Sequence, residues 1–324
     1  MSERRGPVGT ETLFAAPAEH LVVGEVLVDV VRPPGGPVEQ HPGGSPGNVA
    51  LGLARLGRAV RLVTELADDA HGALVRRHLT SAGVHLDLSL PVSGRTATAT
   101  AVLDDRGSAT YTFDLTWSLA HLRTMPTARH LHTGSIAVTL APGADVVARV
   151  AGSAREHATV SFDPNIRPAL VDDAAAVRGR VRRMLELADV VKVSDEDLAW
   201  LHPGQDPGSV AQEWLTLGPC LVVVTLGRGG SLAVTRSGVV HVDPILVDVV
   251  DTVGAGDSYM AALLDGLDSA NLLGAARRAA LRDAMVETVA PIVERAAEAA
   301  AITVSRAGAQ PPTTAELAAA TPVG

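Results

Sequence analysis

Apolar runs of two kinds take turns along the chain. Short runs such as "AVRLVTEL" and "CLVVVTLG" are typical of buried strands, whereas "NVALGLARLG" and "DAHGALVRRHLTSAG" have helical apolar spacing and end at Gly57 and Gly83. The run "HLVVGEVLVDVV" is interpreted as a further buried strand. Nearly continuous apolar strands that alternate with helices predict an α/β fold with a mostly parallel sheet covered on both faces.

Two segments depart from this alternation. From Val26 to Gln40 and from Arg95 to Asp114 the polarity changes at every second residue, and the second segment contains the turn sequence "DDRG". This pattern is typical of antiparallel hairpins with one face in water. We therefore expect a small antiparallel flap beside the main sheet, in the position of a lid that excludes water from reacting groups.

Composition narrows the class of protein. The chain has 324 residues, 47% of them hydrophobic, which suffices for one large α/β domain or two modest ones. The net charge is −9 with acidic and basic residues interspersed, which argues against nucleic acid as the main partner. The single cysteine, Cys220, lies in an apolar run, so we interpret it as a core residue and expect no intramolecular disulfide.

The sequence indicates neither a membrane protein nor an exported one. No run approaches the roughly 18 apolar residues that a membrane helix needs. Residues 1–19 lack the apolar core of a signal peptide. We expect a cytoplasmic protein with a disordered tail over residues 1–19 and a short C-terminal tail over residues 320–324.

The stretch "ILVDVVDTVGAGDSYMAALL" has the pattern of a strand, a glycine turn and a helix. Gly254, Ala255 and Gly256 would form the first helical turn, whose free N–H groups and positive dipole end suit an anion. Asp257 would lie beside that anion, where a carboxylate can take a proton from an attacking hydroxyl. The alternative is that Asp257 only stabilises the helix N-terminus.

A second glycine cluster, "HPGGSPGNVALGLARLG", precedes a helix. Gly43 and Gly44 would let a ligand approach the main chain, and the Asn48 amide can donate and accept hydrogen bonds to neighbouring hydroxyls. Asp29, near the end of a strand, could accept hydrogen bonds from two hydroxyls of a polyol. A flexible loop before a capped helix, with a solvated edge acid, explains the same residues without a ligand.

These two glycine motifs, in this order, resemble the two signatures of ribokinase-type (PfkB) carbohydrate kinases. The likeness runs from about Leu21 to Ala319, and "GEVLVDVV", "FDPNIRPAL" and "VKVSDEDLAWLHPG" resemble fructokinase-like members. The resemblance implies a three-layer α/β/α sandwich with a mostly parallel sheet and a small antiparallel lid. It implies one kinase domain over residues 20–319, with lid segments at about 26–41 and 92–116.

The resemblance also implies roles for individual residues. Asp257 would be the base, the amides of Gly254, Ala255 and Gly256 would hold the γ-phosphate charge, and Arg167 would lie near the transferring phosphate. The positions that match sugar binding are Asp29, Gly43, Gly44 and Asn48. Those that match nucleotide binding are Lys192, the only lysine of the chain, with Ser194, Thr225, Gly227 and Gly230.

One motif departs from the family pattern. Where many members have N-x-x-E, this chain has Ser194-Asp195-Glu196-Asp197. We interpret this as a modified magnesium shell, in which Asp197 acts through water and phosphates supply most of the binding. A monovalent cation, commonly potassium in the family, is expected near Asp251 and the turn at residues 305–308.

Other chemistries lack their motifs. The eleven histidines show no zinc spacing, and neither a P-loop nor a hydrolase serine elbow is present. The resemblance favours ATP-dependent phosphorylation of fructose. It leaves open 2-keto-3-deoxygluconate, ribose or a nucleoside as acceptor, a non-catalytic sugar or nucleotide sensor, and an additional role as an oligomer scaffold that dimerises through the lid.

Overall fold

The computed structural model describes residues 19–104, 109–122 and 125–320. The predicted terminal tails lie outside these ranges except for Glu19 and Ala320, and so does most of the "DDRG" turn.

Thirteen strands occur in the described ranges and form two sheets. They are β1 (His20–Val23), β2 (Leu27–Arg32), β3 (Glu39–Gly43), β4 (Val60–Glu65), β5 (His85–Ser89), β6 (Thr98–Leu103), β7 (Ala109–Asp114), β8 (His130–Gly134), β9 (Thr159–Asp163), β10 (Val190–Ser194), β11 (Leu221–Thr225), β12 (Ser231–Thr235) and β13 (Gly238–Val242).

Eleven α-helices lie in the same ranges. They are α1 (Ser45–Arg55), α2 (Ala70–Ser81), α3 (Ile136–Thr139), α4 (Gly143–Ala154), α5 (Ala174–Leu187), α6 (Asp195–Leu201), α7 (Pro207–Leu215), α8 (Ala255–Ser269), α9 (Arg278–Arg282), α10 (Val286–Val304) and α11 (Thr314–Ala320). Among these described helices, none combines the length and apolar character that crossing a bilayer requires.

The larger sheet has nine strands in the order β13-β12-β11-β10-β9-β8-β1-β4-β5. The pairs from β11 to β5 are parallel, and β12 and β13 extend the sheet as antiparallel neighbours. Successive residues of a strand face opposite sides: Val22 packs with α1 and α8, whereas Leu21 and Val23 pack with α4 and α5. Helices therefore cover both faces, as the apolar strands predict.

The smaller sheet has the order β3-β2-β6-β7. Each hairpin, β2–β3 and β6–β7, is antiparallel as predicted, but the two hairpins join through a parallel pair, β2 with β6. Its strands lie within or next to the predicted lid segments. The sheet has this central parallel pair because each hairpin is a separate excursion of the chain from the larger sheet.

The run "HLVVGEVLVDVV" is two strands and not one. β1 belongs to the larger sheet and β2 to the smaller one, with Gly24, Glu25 and Val26 between them. A Cβ at Gly24 would overlap the Pro46 ring, so glycine is required where the chain passes under α1. The apolar pattern is continuous because both strands are buried, and it does not mark the change of sheet.

The predicted strand "ILVDVV" is also absent. Residues 244–253 form neither strand nor helix, and the side chains of Leu246 and Val250 are 87% and 63% exposed. The N–H groups of Val250 and Asp251 instead donate to the Val304 carbonyl at the end of α10. A β-branched run predicts a strand only where a neighbouring strand can pair with it.

Close helix packing sets the position of α8. A Cβ at Gly52 would lie 2.6 Å from the Ala261 Cβ, and one at Gly266 would lie 2.6 Å from Ile292 Cγ2, so glycines let α1 and α10 approach α8. Arg58, just beyond α1, donates to Asp265 Oδ1 and Asp268 Oδ2 on α8, each at 2.7 Å. These contacts hold the middle and the C-terminal end of α8 against α1 and α10.

Candidate active site

Asp257 lies in the first turn of α8, where the helix begins after a left-handed glycine. Gly254 has φ 77°, and a Cβ there would lie 2.5 Å from the Ala309 Cβ, so both conformation and space require glycine. The Ala255 N–H makes a long 3.3 Å bond to the Thr252 carbonyl. The turn presents the positive end of a fifteen-residue helix beside the Asp257 carboxylate.

Two donors from α1 hold the Asp257 carboxylate. Ser45 Oγ donates to Oδ1 at 2.6 Å, and Asn48 Nδ2 donates to Oδ2 at 2.8 Å. Ser45 and Asn48 are three residues apart and thus lie on one face of α1. Gly44, which caps this helix with φ 99°, has no room for a Cβ beside the Glu25 carbonyl. The second predicted glycine cluster therefore brings Asn48 to the predicted base.

The loop after β9 adds a second layer of polar contacts. Arg167 Nη1 donates to Asn165 Oδ1 at 2.6 Å, and Asn165 Nδ2 donates to Ser45 Oγ at 2.8 Å. The sequence predicted Arg167 for this region but missed Asn165 and Ser45. The signal for Asn165 was its place two residues before Arg167 in "DPNIRP", and that for Ser45 was its place beside Gly44.

Lys192, on β10 of the larger sheet, lies beside the glycine turn that begins α8. Its Nζ lies 3.1 Å from Asp163 Oδ2, and a Cβ at Gly256 would lie 3.1 Å from this Nζ. Burial raises the pKa of Asp163 to about 6; the Lys192 ammonium opposes that rise, and the carboxylates of Asp197 and Asp257 add to it. Lys192 thus lies under the glycine turn, and Asp163 is a further residue that the sequence prediction did not include.

The smaller sheet contributes Asp29. Its carboxylate lies over Gly43, where a Cβ would overlap Oδ2, so the first glycine of the pair makes room for the acid. Burial raises the pKa of Asp29, while the nearby charges of His41 and Arg167 lower it. Asp29, with Gly43 beside it, therefore lies near Arg167.

Glu25, which lies between the two sheets, is a buried acid that the sequence prediction did not include. It accepts a hydrogen bond from the Ala137 N–H at 3.0 Å. Burial raises its pKa to about 7, and the hydrogen bonds it accepts and the charge of Arg167 reduce the rise.

The predicted nucleotide residues follow the ends of β10 and β11. Ser194 and Thr225 are partners in register across these strands. Gly227 and Gly230 have φ 53° and 84°, and a Cβ at Gly230 would overlap the Val242 carbonyl. Ser194 caps α6, since its Oγ accepts from the Asp197 N–H at 3.0 Å.

The two acids that the sequence places near cations, Asp197 and Asp251, each accept hydrogen bonds from backbone N–H groups. Asp197 Oδ1 accepts from the Ile166 N–H at 2.8 Å. Asp251 accepts from Val253 N–H at 3.0 Å and from Gly308 N–H at 2.9 Å, so this acid contacts the turn at residues 305–308. The carboxylates of Asp197 and Asp257 lie close enough to Asp163 to raise its pKa. The hard carboxylate oxygens of Asp197 fit the water shell of Mg²⁺ held together with phosphates.

A different acidic group lies at the other end of α8. Glu19, His20 and Asp268 are the residues in the described ranges whose ligand atoms cluster closely enough for a metal. Asp268 is bonded there to Arg58 and Arg129, and two guanidinium groups offset its charge. This group is an ion-pair network that fastens α8, and it lies apart from the predicted site.

Comparison with known proteins shows which family the sequence matches. Residues 18–316 match the pfkB family of carbohydrate kinases. A fructokinase of Klebsiella pneumoniae is 36% identical over 255 residues, which cover 76% of this chain and 83% of that protein.

Solved structures give the same result. The fructokinase of Xylella fastidiosa with bound ATP superposes with a TM-score of 0.81 at 29% identity, over 94% of this chain and 98% of that one. A fructokinase double mutant of Vibrio cholerae with fructose, ADP and potassium gives 0.75 at 26% identity, over 94% and 99%. Aminoimidazole riboside kinase of Salmonella enterica gives 0.77 at 26% identity, over 93% and 99%.

Fold and sequence together define a sugar kinase, a phosphotransferase with an alcohol group as acceptor. The predicted α/β architecture with a second, smaller sheet is confirmed. The chain belongs to the pfkB family of carbohydrate kinases. Members of this family use ATP.

Proposed function

We propose that the protein is an ATP-dependent fructokinase that phosphorylates a primary hydroxyl of fructose. The observation that carries the proposal is the Asp257 carboxylate, held by Ser45 and Asn48 at the N-terminus of α8. Similarity to proteins named fructokinase supports fructose as the acceptor. A binding module without catalysis would need no carboxylate fixed beside an anion-binding turn.

The sugar would lie between the smaller sheet and α8. Asp29 would accept hydrogen bonds from its hydroxyls, and Asn48 would donate to one of them. Gly43 and Gly44 would let the ring approach the main chain. Burial of Asp29 supports this role, because a carboxylate with few competing waters gains more from each hydroxyl.

The reaction would begin when an Asp257 oxygen accepts the proton of the primary hydroxyl. The hydroxyl oxygen forms a bond to the γ-phosphorus, the bond from that phosphorus to the β–γ bridging oxygen breaks, and ADP leaves. The amides of Gly254, Ala255 and Gly256 and the guanidinium of Arg167 would stabilise charge on the equatorial oxygens. Lys192 would add positive charge below the turn.

The nucleotide would lie along the ends of β10 and β11, against Ser194, Thr225, Gly227 and Gly230. Mg²⁺ would neutralise charge on the phosphates, with Asp197 contacting its water shell. A monovalent cation such as K⁺ would lie beside Asp251 and the turn at residues 305–308. The meeting of Asp251 with Gly308 supports this position.

A coupled ADP-release assay with ATP, Mg²⁺ and K⁺ tests the proposal across fructose, tagatose, ribose, 2-keto-3-deoxygluconate, adenosine and inosine. We expect the highest kcat/KM with fructose, and ADP release slower by about 10² to 10⁴ with Asp257→Asn. Turnover with a different member of the panel would retain the kinase and replace the acceptor. Binding of ATP or sugar without turnover would favour a sensor.

A riboside is the second candidate acceptor. The similarity to aminoimidazole riboside kinase, at nearly the same TM-score as the fructokinases, favours it. Adenosine and inosine are in the panel for this reason, and preference for either over fructose would decide for a riboside.

A further inference from the structure

Four side chains form a hydrogen-bonded chain that ends on the proposed base. Arg167 Nη1 donates to Asn165 Oδ1, Asn165 Nδ2 donates to Ser45 Oγ, and Ser45 Oγ donates to Asp257 Oδ1, over 2.6, 2.8 and 2.6 Å. The chain joins three separate elements, namely the loop after β9, the start of α1 and the first turn of α8.

The two ends fix the direction of every bond in this chain. A guanidinium can only donate, so the Asn165 atom facing Arg167 is the carbonyl oxygen, and the Asn165 amide nitrogen faces Ser45. Because Ser45 Oγ already accepts a bond from Asn165, its single proton points at Asp257. An ionised carboxylate can only accept, which matches that direction.

The structure holds the middle of the chain in place. Ser45 is 4% exposed. Asn165 adopts φ 37°, a left-handed conformation that asparagine tolerates better than most residues. The next residue, Ile166, donates its N–H to Asp197 Oδ1, which anchors this turn to α6. The Asn165 amide therefore reaches Ser45 from a fixed backbone.

The two donors to Asp257 differ in the hydrogen-bonding capacity that they have left for a substrate. Asn48 gives one amide hydrogen to Oδ2 and has a second N–H and a carbonyl oxygen for the sugar hydroxyl that it contacts in the proposed function. Ser45 directs its only proton at Oδ1 and accepts a bond from Asn165, so it has no further hydrogen to give to a substrate. Its bond to Oδ1 can persist while Oδ2 turns to the sugar.

We propose that Ser45 is a positioning residue for the base Asp257, and that Asn165 couples Ser45 to Arg167. The guanidinium that faces the phosphate and the carboxylate that faces the hydroxyl are thereby held in one geometry. This inference rests on the proposed kinase function. In this proposal Ser45 and Asn165 act through Asp257 and Arg167 and not through contacts of their own with a substrate.

The test measures kcat, KM for the sugar and the pH dependence of kcat in Ser45→Ala and Ser45→Thr. A hydrogen bond to a charged group contributes roughly 1.5–3 kcal/mol, so kcat of Ser45→Ala should fall roughly ten- to hundredfold, with KM for the sugar changed much less. The acid limb of the kcat profile should move to higher pH, because the ionised base has lost a donor. Ser45→Thr, which keeps the hydroxyl, should recover most of kcat.

Ser258→Ala is the matched control. Ser258 is 2% exposed, follows Asp257 in α8, and its hydroxyl accepts from Thr303 Oγ1 at 2.7 Å. The Ser258→Ala substitution also removes one buried hydroxyl oxygen, but that oxygen is bonded to Thr303 and not to the Asp257 carboxylate. We expect its acid limb to coincide with that of the wild type.

Asn165→Ala provides a second, independent variant should Ser45→Ala fail to fold in a thermal melt. It should lower kcat in the same direction, and adding it to Ser45→Ala should lower kcat little further, because both remove one chain. If the wild type is active and Ser45→Ala has unchanged kcat and an unchanged acid limb, this inference alone is overturned. If Ser45→Ala does not fold, the same result in Asn165→Ala overturns it. A wild type inactive on the whole sugar panel would overturn the proposed function and this inference with it.

Discussion

Lys192 and Asp163 face each other on neighbouring parallel strands, with Nζ 3.1 Å from Oδ2 and both side chains at most 4% exposed. The pair lies directly below the glycine turn that begins α8. Since Lys192 is the only lysine in a chain with 27 basic residues, this position uses an ammonium where arginine is otherwise preferred. A compact point charge fits beneath Gly256, where a planar guanidinium would need more room.

Lys192→Met should lower the free energy of unfolding by roughly 3–5 kcal/mol at pH 7.5, because it leaves the Asp163 carboxylate buried without its cation. Urea denaturation measures the loss. The double variant Lys192→Met with Asp163→Asn should recover much of it, since the uncompensated charge is gone. A loss below about 1 kcal/mol in the single variant would show that water or another group serves the acid equally well.

Glu25 should make stability depend on pH. Burial raises its pKa from 4.5 to about 7, so the folded protein binds this proton more tightly than the unfolded chain does. The stabilisation is complete below pH 4.5 and is lost as pH rises through about 7. At about 1.4 kcal/mol per unit, the loss is on the order of 3 kcal/mol.

Glu25→Gln keeps the oxygen that accepts from Ala137 and removes the titration. Its free energy of unfolding should therefore rise relative to that of the wild type as pH increases from 4.5 to 7.5. Urea denaturation at four pH values in this interval gives the comparison. Parallel curves for the two proteins would mean that Glu25 ionises in the folded state as it does in solution.

Asp257→Asn should reduce kcat by about 10² to 10⁴ and leave sugar binding nearly unchanged, as expected when a general base is lost but its shape is kept. Turnover is measured by ADP release and sugar binding by calorimetry. The carboxamide can still accept from Ser45, so the fold of the site is retained. Wild-type turnover in this variant would remove Asp257 from the role of base.

Gly254→Ala should be far more harmful than Gly57→Ala. Both glycines have positive φ, 77° and 87°, so both variants incur the cost of a left-handed alanine, about 1–2 kcal/mol. Only at Gly254 does the new Cβ meet other atoms, 2.5 Å from the Ala309 Cβ, whereas nothing lies within 4 Å at Gly57. We expect Gly254→Ala to lose most activity and Gly57→Ala to lose only stability, as assays and melting curves on both variants would reveal.

The sequence predicted those parts of the site that depend on local backbone. Gly254 and Gly44 were recognisable because a left-handed turn before a helix needs glycine, and Asp257 and Asn48 follow from their places in the first turns. Ser45 and Asn165 were missed because the contacts that join them to the base link distant parts of the chain: Asp257 is 212 positions after Ser45, and Asn165 is 120 positions after it. A hydroxyl beside two glycines carries no signal of its own.

The errors in the fold have a related cause. Apolar patterning predicts burial, and it identified β1 and β2 correctly as buried, but it does not say to which sheet a strand belongs. The segment of residues 244–253 shows the opposite failure, since its β-branched residues are largely exposed and its backbone pairs with α10. Both outcomes depend on which neighbours the rest of the chain supplies.

Gly24, Glu25 and Val26 are the only residues between β1 in the larger sheet and β2 in the smaller one. Asp29 belongs to β2, whereas Asp257 belongs to the helix that packs on the larger sheet. In the proposed function a sugar that contacts both acids would span two separately built layers, so the distance between the layers would limit the length of its carbon chain. Substitutions in this three-residue link would then change the ratio of kcat/KM for five- and six-carbon sugars without touching either carboxylate.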